Sequence, residues 1–139
     1  MTHEEIIARL NGEHEGTLVR NLGIVFTGMG EDWMEATMPI DERTMRPGRM
    51  LNGGAVLALA ETLGGGLSYA TVPPEEYHIF GIEVNGNHVH KAEGGHVVAR
   101  AEFVHRGRRT HVVDVKVRDE FGKLASVCRV TNIIMRKKD

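Results

Sequence analysis

Met50-Leu51-Asn52-Gly53-Gly54-Ala55-Val56-Leu57-Ala58-Leu59-Ala60-Glu61-Thr62-Leu63-Gly64-Gly65-Gly66-Leu67-Ser68-Tyr69 is the longest apolar stretch of the chain. Alanine and leucine dominate its middle, and it is too long for an ordinary strand. The pattern predicts a helix that opens at Asn52, a good N-cap, and runs to about Tyr69. Pro73-Pro74 stop it. A helix that is apolar nearly all round is a buried one. The rest of the chain must therefore wrap it.

Working outward, the C-terminal side holds four strand candidates, Ile79 to His90, His96 to His105, Thr110 to Arg118 and Leu124 to Met135. Turns at Gly94-Gly95, Gly107 and Phe121-Gly122 separate them. Val113, Val115 and Val117 alternate with Asp114, Lys116 and Arg118, which gives that strand one dry and one wet face. Short connections imply antiparallel neighbours. On the N-terminal side, Asp41 to Met50 is a polar, basic loop containing Pro47 and Gly48. Ile24 to Thr27 and Trp33 to Met38 read as short strands around a turn at Gly28, Met29 and Gly30. Thr2 and Glu5 form a capping box that starts a helix through about Leu10. The whole is expected to be one α+β domain over 1–139, with 1–19 as an N-terminal helical extension and a sheet curled around one helix.

With 139 residues the chain can bury a core without staples. Lys plus Arg number 17 and Asp plus Glu 19, a net charge of -2, so no nucleic-acid surface is expected. No stretch reaches a membrane span, and Met1 to Asn11 lacks a signal core. The single cysteine, Cys128, fits a reducing compartment, and a cytoplasmic location is expected.

Between Ala55 and Leu63 only Glu61 and Thr62 are polar. The positions three and four away from Glu61 are Leu57, Ala58, Gly64 and Gly65, so no local cation pairs it. A lone carboxylate in such a helix either reaches solvent through a gap or is a buried acid with a raised pKa, suited to base or nucleophile chemistry. At the helix start, Gly53 and Gly54 expose backbone N–H groups that a carbonyl oxygen could approach closely. They either form an oxyanion hole or simply pack as small residues after a cap. Gly53 and Glu61 lie about 12 Å apart along one helix, too far to share a substrate. Two antiparallel copies of the helix about a two-fold axis would bring them together, so a homodimer or dimer of dimers with composite sites is expected.

The segment Met50 to Ala55 and Leu59-Ala60-Glu61-Thr62 resembles the helix signature of hotdog-fold acyl-CoA thioesterases, closest to the 1,4-dihydroxy-2-naphthoyl-CoA and phenylacetate-degradation groups. Leu22-Gly23-Ile24, Glu35 to Pro39, Asp41 to Thr44, Gly81 to Asn85, Asn87-His88-Val89 and His105 to Val112 are similar too, so the likeness covers about residues 20 to 135. It implies an acyl-CoA hydrolase with Glu61 as base or nucleophile and the Gly53 N–H on the thioester carbonyl, beside Gly54. It implies His88 in the substrate cleft and the turn Arg106-Gly107-Arg108-Arg109 near the phosphates of CoA. It implies no cofactor, because CoA is part of the substrate. Asn52 stands where the family has histidine, Arg46 where it has glutamine, and Gly65 where it has serine or threonine.

Other readings compete. His88, His90, His105 and His111 invite a metal, but no familiar ligand motif is present. Cys128 reads as a small core residue and Trp33 as packing. Gly64-Gly65-Gly66 lies inside a helix, unlike a nucleotide loop. A non-catalytic acyl-CoA-binding module on the same fold is the alternative to the enzyme.

Overall fold

The computed structural model describes residues 1–138. Thr2 caps α1 (His3–Glu13) by accepting from the Glu5 N–H, as the capping box predicts, and the helix runs three residues past Leu10. A one-turn helix, α2 (Leu18–Asn21), follows; no periodicity could announce so short a piece. Next come β1 (Val25–Met29), β2 (Trp33–Pro39), β3 (Met45–Arg46), β4 (Met50–Leu51) and the central helix α3 (Gly53–Tyr69). The basic loop thus contains a small hairpin, β3 with β4, closed around Pro47 and Gly48. Then follow β5 (Tyr77–His88), β6 (His96–Arg106), β7 (Thr110–Asp119) and β8 (Leu124–Arg136).

The six long strands form one sheet in the order β1-β2-β6-β7-β8-β5, every neighbour antiparallel. Alternation sets its inner face: Met34, Ala36 and Met38 of β2, Val97, Ala99 and Ala101 of β6, and Val113, Val115 and Val117 of β7 are all fully buried. They pack on Val56, Leu59, Ala60, Leu63 and Leu67 of α3. This is the hotdog fold, a long helix wrapped by a curved antiparallel sheet. Gly64 and Gly66 make the wrap close. A Cβ at Gly64 would lie 3.1 Å from Val130, and one at Gly66 would lie 2.7 Å from Phe26. Their cost within the helix is thus offset by contact with the chain's own sheet.

The wrap is incomplete. α3 keeps a partly exposed stripe at Gly54, Leu57, Ala58, Glu61 and Gly65, with Gly54 and Glu61 exposed and the others half-buried, spaced as one helical face. β5 is an edge strand, and it presents Phe80 and Ile82 to solvent at 49% and 56% exposure. The β5–β8 register shifts between Gly81 and Glu83, so that Ile82 is the extra residue of a bulge.

Candidate active site

Asn52 positions the start of α3. Its Oδ1 accepts from the Gly54 N–H at 2.6 Å and from the Ala55 N–H at 3.3 Å. The Gly53 N–H is left out of this cap and, among the described residues, makes no hydrogen bond. His88 stands against it, where a Cβ on Gly53 would lie 2.7 Å from the imidazole Nε2. The ring is steered by its other nitrogen, 2.8 Å from Ser126 Oγ. Arg46, Gly53, His88, Lys91 and Ser126 line a cleft of about 340 Å³ at this end of α3. Arg46 folds onto its own loop, donating to the Pro47 carbonyl at 2.6 Å.

Glu61 is in a second cleft, of about 270 Å³, with Leu10, His14, Phe26, Gly65, Tyr69 and Asn132. Its Oε1 lies over β5, 2.5 Å from where a Cβ on Gly81 would be. The expectation of a buried carboxylate is corrected within the single chain: Glu61 is exposed, because it sits on the stripe the sheet leaves bare. Gly65, one turn on, has nothing within 4 Å of a built Cβ. The clefts are distinct, so one chain does not bring Gly53 and Glu61 together, as their spacing along the helix required.

The basic turn lies elsewhere again. Arg106, Arg108 and Arg109 are exposed, and Arg106 shares a surface hollow with Leu67, Ala70 and Thr71 at the C-terminal end of α3. Arg106 stacks 5.5 Å from the Phe103 ring and reaches Asp32 at 3.7 Å. The Gly107 N–H closes the turn on the Thr110 carbonyl at 3.0 Å. Among the described residues no three His, Cys, Asp or Glu side chains gather as a metal site, so His88, His90, His105 and His111 do not converge. Burial pushes the Cys128 thiol up to about 11, which leaves it an inert core residue.

Sequence reasoning missed a buried polar group beside the Glu61 cleft. His111 Nδ1 lies 2.9 Å from Ser68 Oγ, and Asn132 Nδ2 donates to Ser68 Oγ at 3.0 Å and to the Gly64 carbonyl at 3.1 Å. The signal was available, since Asn132 is a lone amide on the inward face of an apolar strand, as Glu61 is a lone acid in an apolar helix. His14, at the end of α1, was missed as well, because only the folded extension carries α1 to the cleft where Tyr69 of α3 also stands.

A long helix wrapped by a curled antiparallel sheet places the chain in the hotdog-fold class. The profile of the thioesterase superfamily matches residues 48–126. The 1,4-dihydroxy-2-naphthoyl-CoA hydrolase of Escherichia coli is 39% identical over 126 residues, 91% of this chain and 92% of that protein. The proofreading thioesterase EntH of Cronobacter sakazakii is 37% identical over 126 residues, 91% of each. A solved structure of a mutant thioesterase from Pseudomonas aeruginosa, 36% identical, superposes with a TM-score of 0.91 over 94% of each chain. The chain belongs to the thioesterase superfamily.

Proposed function

We propose that the protein hydrolyses an aryl- or medium-chain acyl-CoA thioester to the free acid and CoA, at a composite site built by two copies of the chain. In this reading Glu61 is the base or nucleophile. The Gly53 N–H of the other copy, fixed by the Asn52 cap, receives the developing oxyanion. The acyl group enters the Glu61 cleft, whose Leu10, Phe26, Tyr69 and Ile79 give it apolar and aromatic walls. The E. coli relative named above acts on an aryl-CoA, which supports the aryl class. Arg106, Arg108 and Arg109 meet the CoA phosphates, and His88 and Arg46 line the thioester end.

One observation carries the proposal. The same edge strand touches both halves of the site: Gly81 lies under Glu61, and His88 lies against Gly53. Two β5 strands paired antiparallel about an axis between Val84 and Asn85 would set Gly81 of one copy opposite His88 of the other. Glu61 would then face the Gly53 N–H across the interface, twice per dimer. A long edge strand with exposed Phe80 and Ile82 calls for such a partner, and the bare α3 stripe would be covered in the same act.

The experiment is complementation. Glu61→Ala removes the carboxylate, and Gly53→Pro removes the N–H at a helix position that tolerates proline. Each variant alone should be inactive against a panel of aryl- and alkyl-CoA thioesters scored by thiol release. Unfolded and remixed in equal amounts, half the dimers carry one intact site, and about a quarter of the parent activity returns. No recovery in dimers shown to have mixed would rule out the composite site.

A further inference from the structure

We propose that Asn132 is a positioning residue that holds the hydrolytic water against Glu61; this rests on the reading of Glu61 as the carboxylate of the thioesterase site. Asn132 is 1% exposed, and its Oδ1 is a buried oxygen with no hydrogen-bond partner among the described residues. The amide cannot turn over to relieve it. Nδ2 donates to the Gly64 carbonyl at 3.1 Å, and a carbonyl only accepts, so the reversed amide would set oxygen against oxygen. Ser68 Oγ, itself tied to His111, holds Nδ2 from a second side at 3.0 Å. An oxygen kept unpaired by such firm bonding of its own amide needs an explanation.

Its place supplies one. Asn132 of β8 pairs with Gly81 of β5, and the two residues share a face of the sheet. Paired Cβ positions lie about 4.5–5.5 Å apart. Glu61 Oε1 lies 2.5 Å from where the Gly81 Cβ would be, so carboxylate and amide border the same floor of the cleft. Two acceptors cannot bond each other, but one water can donate a proton to each and turn a lone pair toward the substrate. Gly65, where the family resemblance places a hydroxyl that orients water, has no side chain to offer. The sheet then supplies from β8 what the helix lacks.

In the step, the water oxygen bonds to the thioester carbonyl carbon as Glu61 takes one of its protons. The carbonyl becomes an oxyanion at Gly53 of the other copy. As the carbonyl re-forms, the carbon–sulfur bond breaks and the CoA sulfur leaves with the proton from Glu61. One thioester and one water give one acid and one thiol. The second water proton stays on the acid, having been directed by Asn132 Oδ1 during the approach.

The test compares the parent, Glu61→Ala, Asn132→Leu and Ser68→Ala on one hydrolysed acyl-CoA, with hydroxylamine added as a competing nucleophile. Hydroxylamine brings its own reactive nitrogen, and its product, the hydroxamate, is scored against the free acid after subtraction of the uncatalysed rate. Asn132→Leu should lower kcat about 10- to 100-fold with KM within about twofold, and raise the hydroxamate-to-acid ratio about tenfold, the scale of a misplaced reactant. Ser68→Ala, which keeps the bond from Nδ2 to the Gly64 carbonyl, should raise that ratio less than Asn132→Leu does. The proposal is overturned by an unchanged ratio in Asn132→Leu, or by equal losses in both variants that follow a shared fall in Tm. Should the leucine variant not fold, Asn132→Ala decides by the same ratio. An inactive Glu61→Ala with a fully active Asn132→Leu would remove the water assignment alone. A fully active Glu61→Ala would overturn the site and this inference together.

Discussion

Asn52 spends its amide oxygen on the second and third N–H groups of α3 and leaves the first free. A histidine here would hold a proton near neutrality; an amide orients and caps only. Asn52→Ala should therefore lose about 1 kcal/mol of stability, the worth of an N-cap, and part of the rate. Asn52→Asp keeps both caps but sets a negative charge beside the Gly53 N–H. Thermal melts should find it as stable as the parent, and thioester kinetics should find it far slower. An aspartate variant with unchanged kcat would show that no oxyanion forms at this helix end. His111 titrates in a way that reports on folding. Burial first, then the charge of Arg106, holds its imidazole below the ordinary 6.5, although the Gly107 backbone pulls upward. Burial lowers His14 likewise. The unfolded chain then binds these protons more tightly, so stability is complete above 6.5 and falls as the pH drops through that value toward the lower folded one. Melting followed from about pH 7.5 to about 5.5 should show the fall, and His111→Asn should reduce it.

At the scale of elements, α3 shows what a sequence can and cannot disclose. Its bounds, its cap and its terminating prolines were legible because helix chemistry is local. The four C-terminal strands were legible for the same reason, through alternation and turns. Hidden from the sequence was which side of α3 the sheet would leave bare, since an apolar helix has no polar stripe to mark it. Glu61 stood out as odd in the sequence, and of its two readings the buried one fails in the single chain for that reason. Adjacent glycines divide along the same line. Gly66→Ala forces a methyl into Phe26 and Met34, and overpacking of this kind costs about 1–3 kcal/mol, more than alanine returns in helix propensity. Gly65→Ala meets nothing within 4 Å. It should stabilise the single chain by up to about 1 kcal/mol through propensity alone. Denaturant melts of the pair check this; equal effects at 65 and 66 would mean that α3 sits differently in its sheet.

For the whole molecule, the N-terminal extension does more than precede the domain. Tyr69, near the end of α3, donates to Glu13 of α1 at 3.1 Å, and Arg9 holds the same carboxylate at 3.0 Å. Leu10 and His14 thereby become walls of the Glu61 cleft. Removal of residues 1–16 should open that cleft and expose the Ile6 and Leu10 side of the core. The truncated protein should keep its fold, lose discrimination between long and short acyl groups, and show the larger change in KM. A parallel fall in kcat for every thioester would mean that α1 serves folding instead.

The bulge at Ile82 has a consequence for what counts as a correctly assembled enzyme. If pairing of β5 with its copy aligns Glu61 with Gly53, the register of one hydrogen-bonded ladder is also the alignment of both reaction centres. A dimer slipped along that ladder would still be associated, symmetric and stable, yet chemically silent. In such a dimer the extra residue would act as an index mark, since a kinked and more strongly twisted edge fits its copy in few positions. Deleting Ile82 would remove the mark while leaving the apolar core untouched. Specific activity would then become a measure of how many dimers closed in frame, a quantity that neither melting temperature nor molecular mass can report.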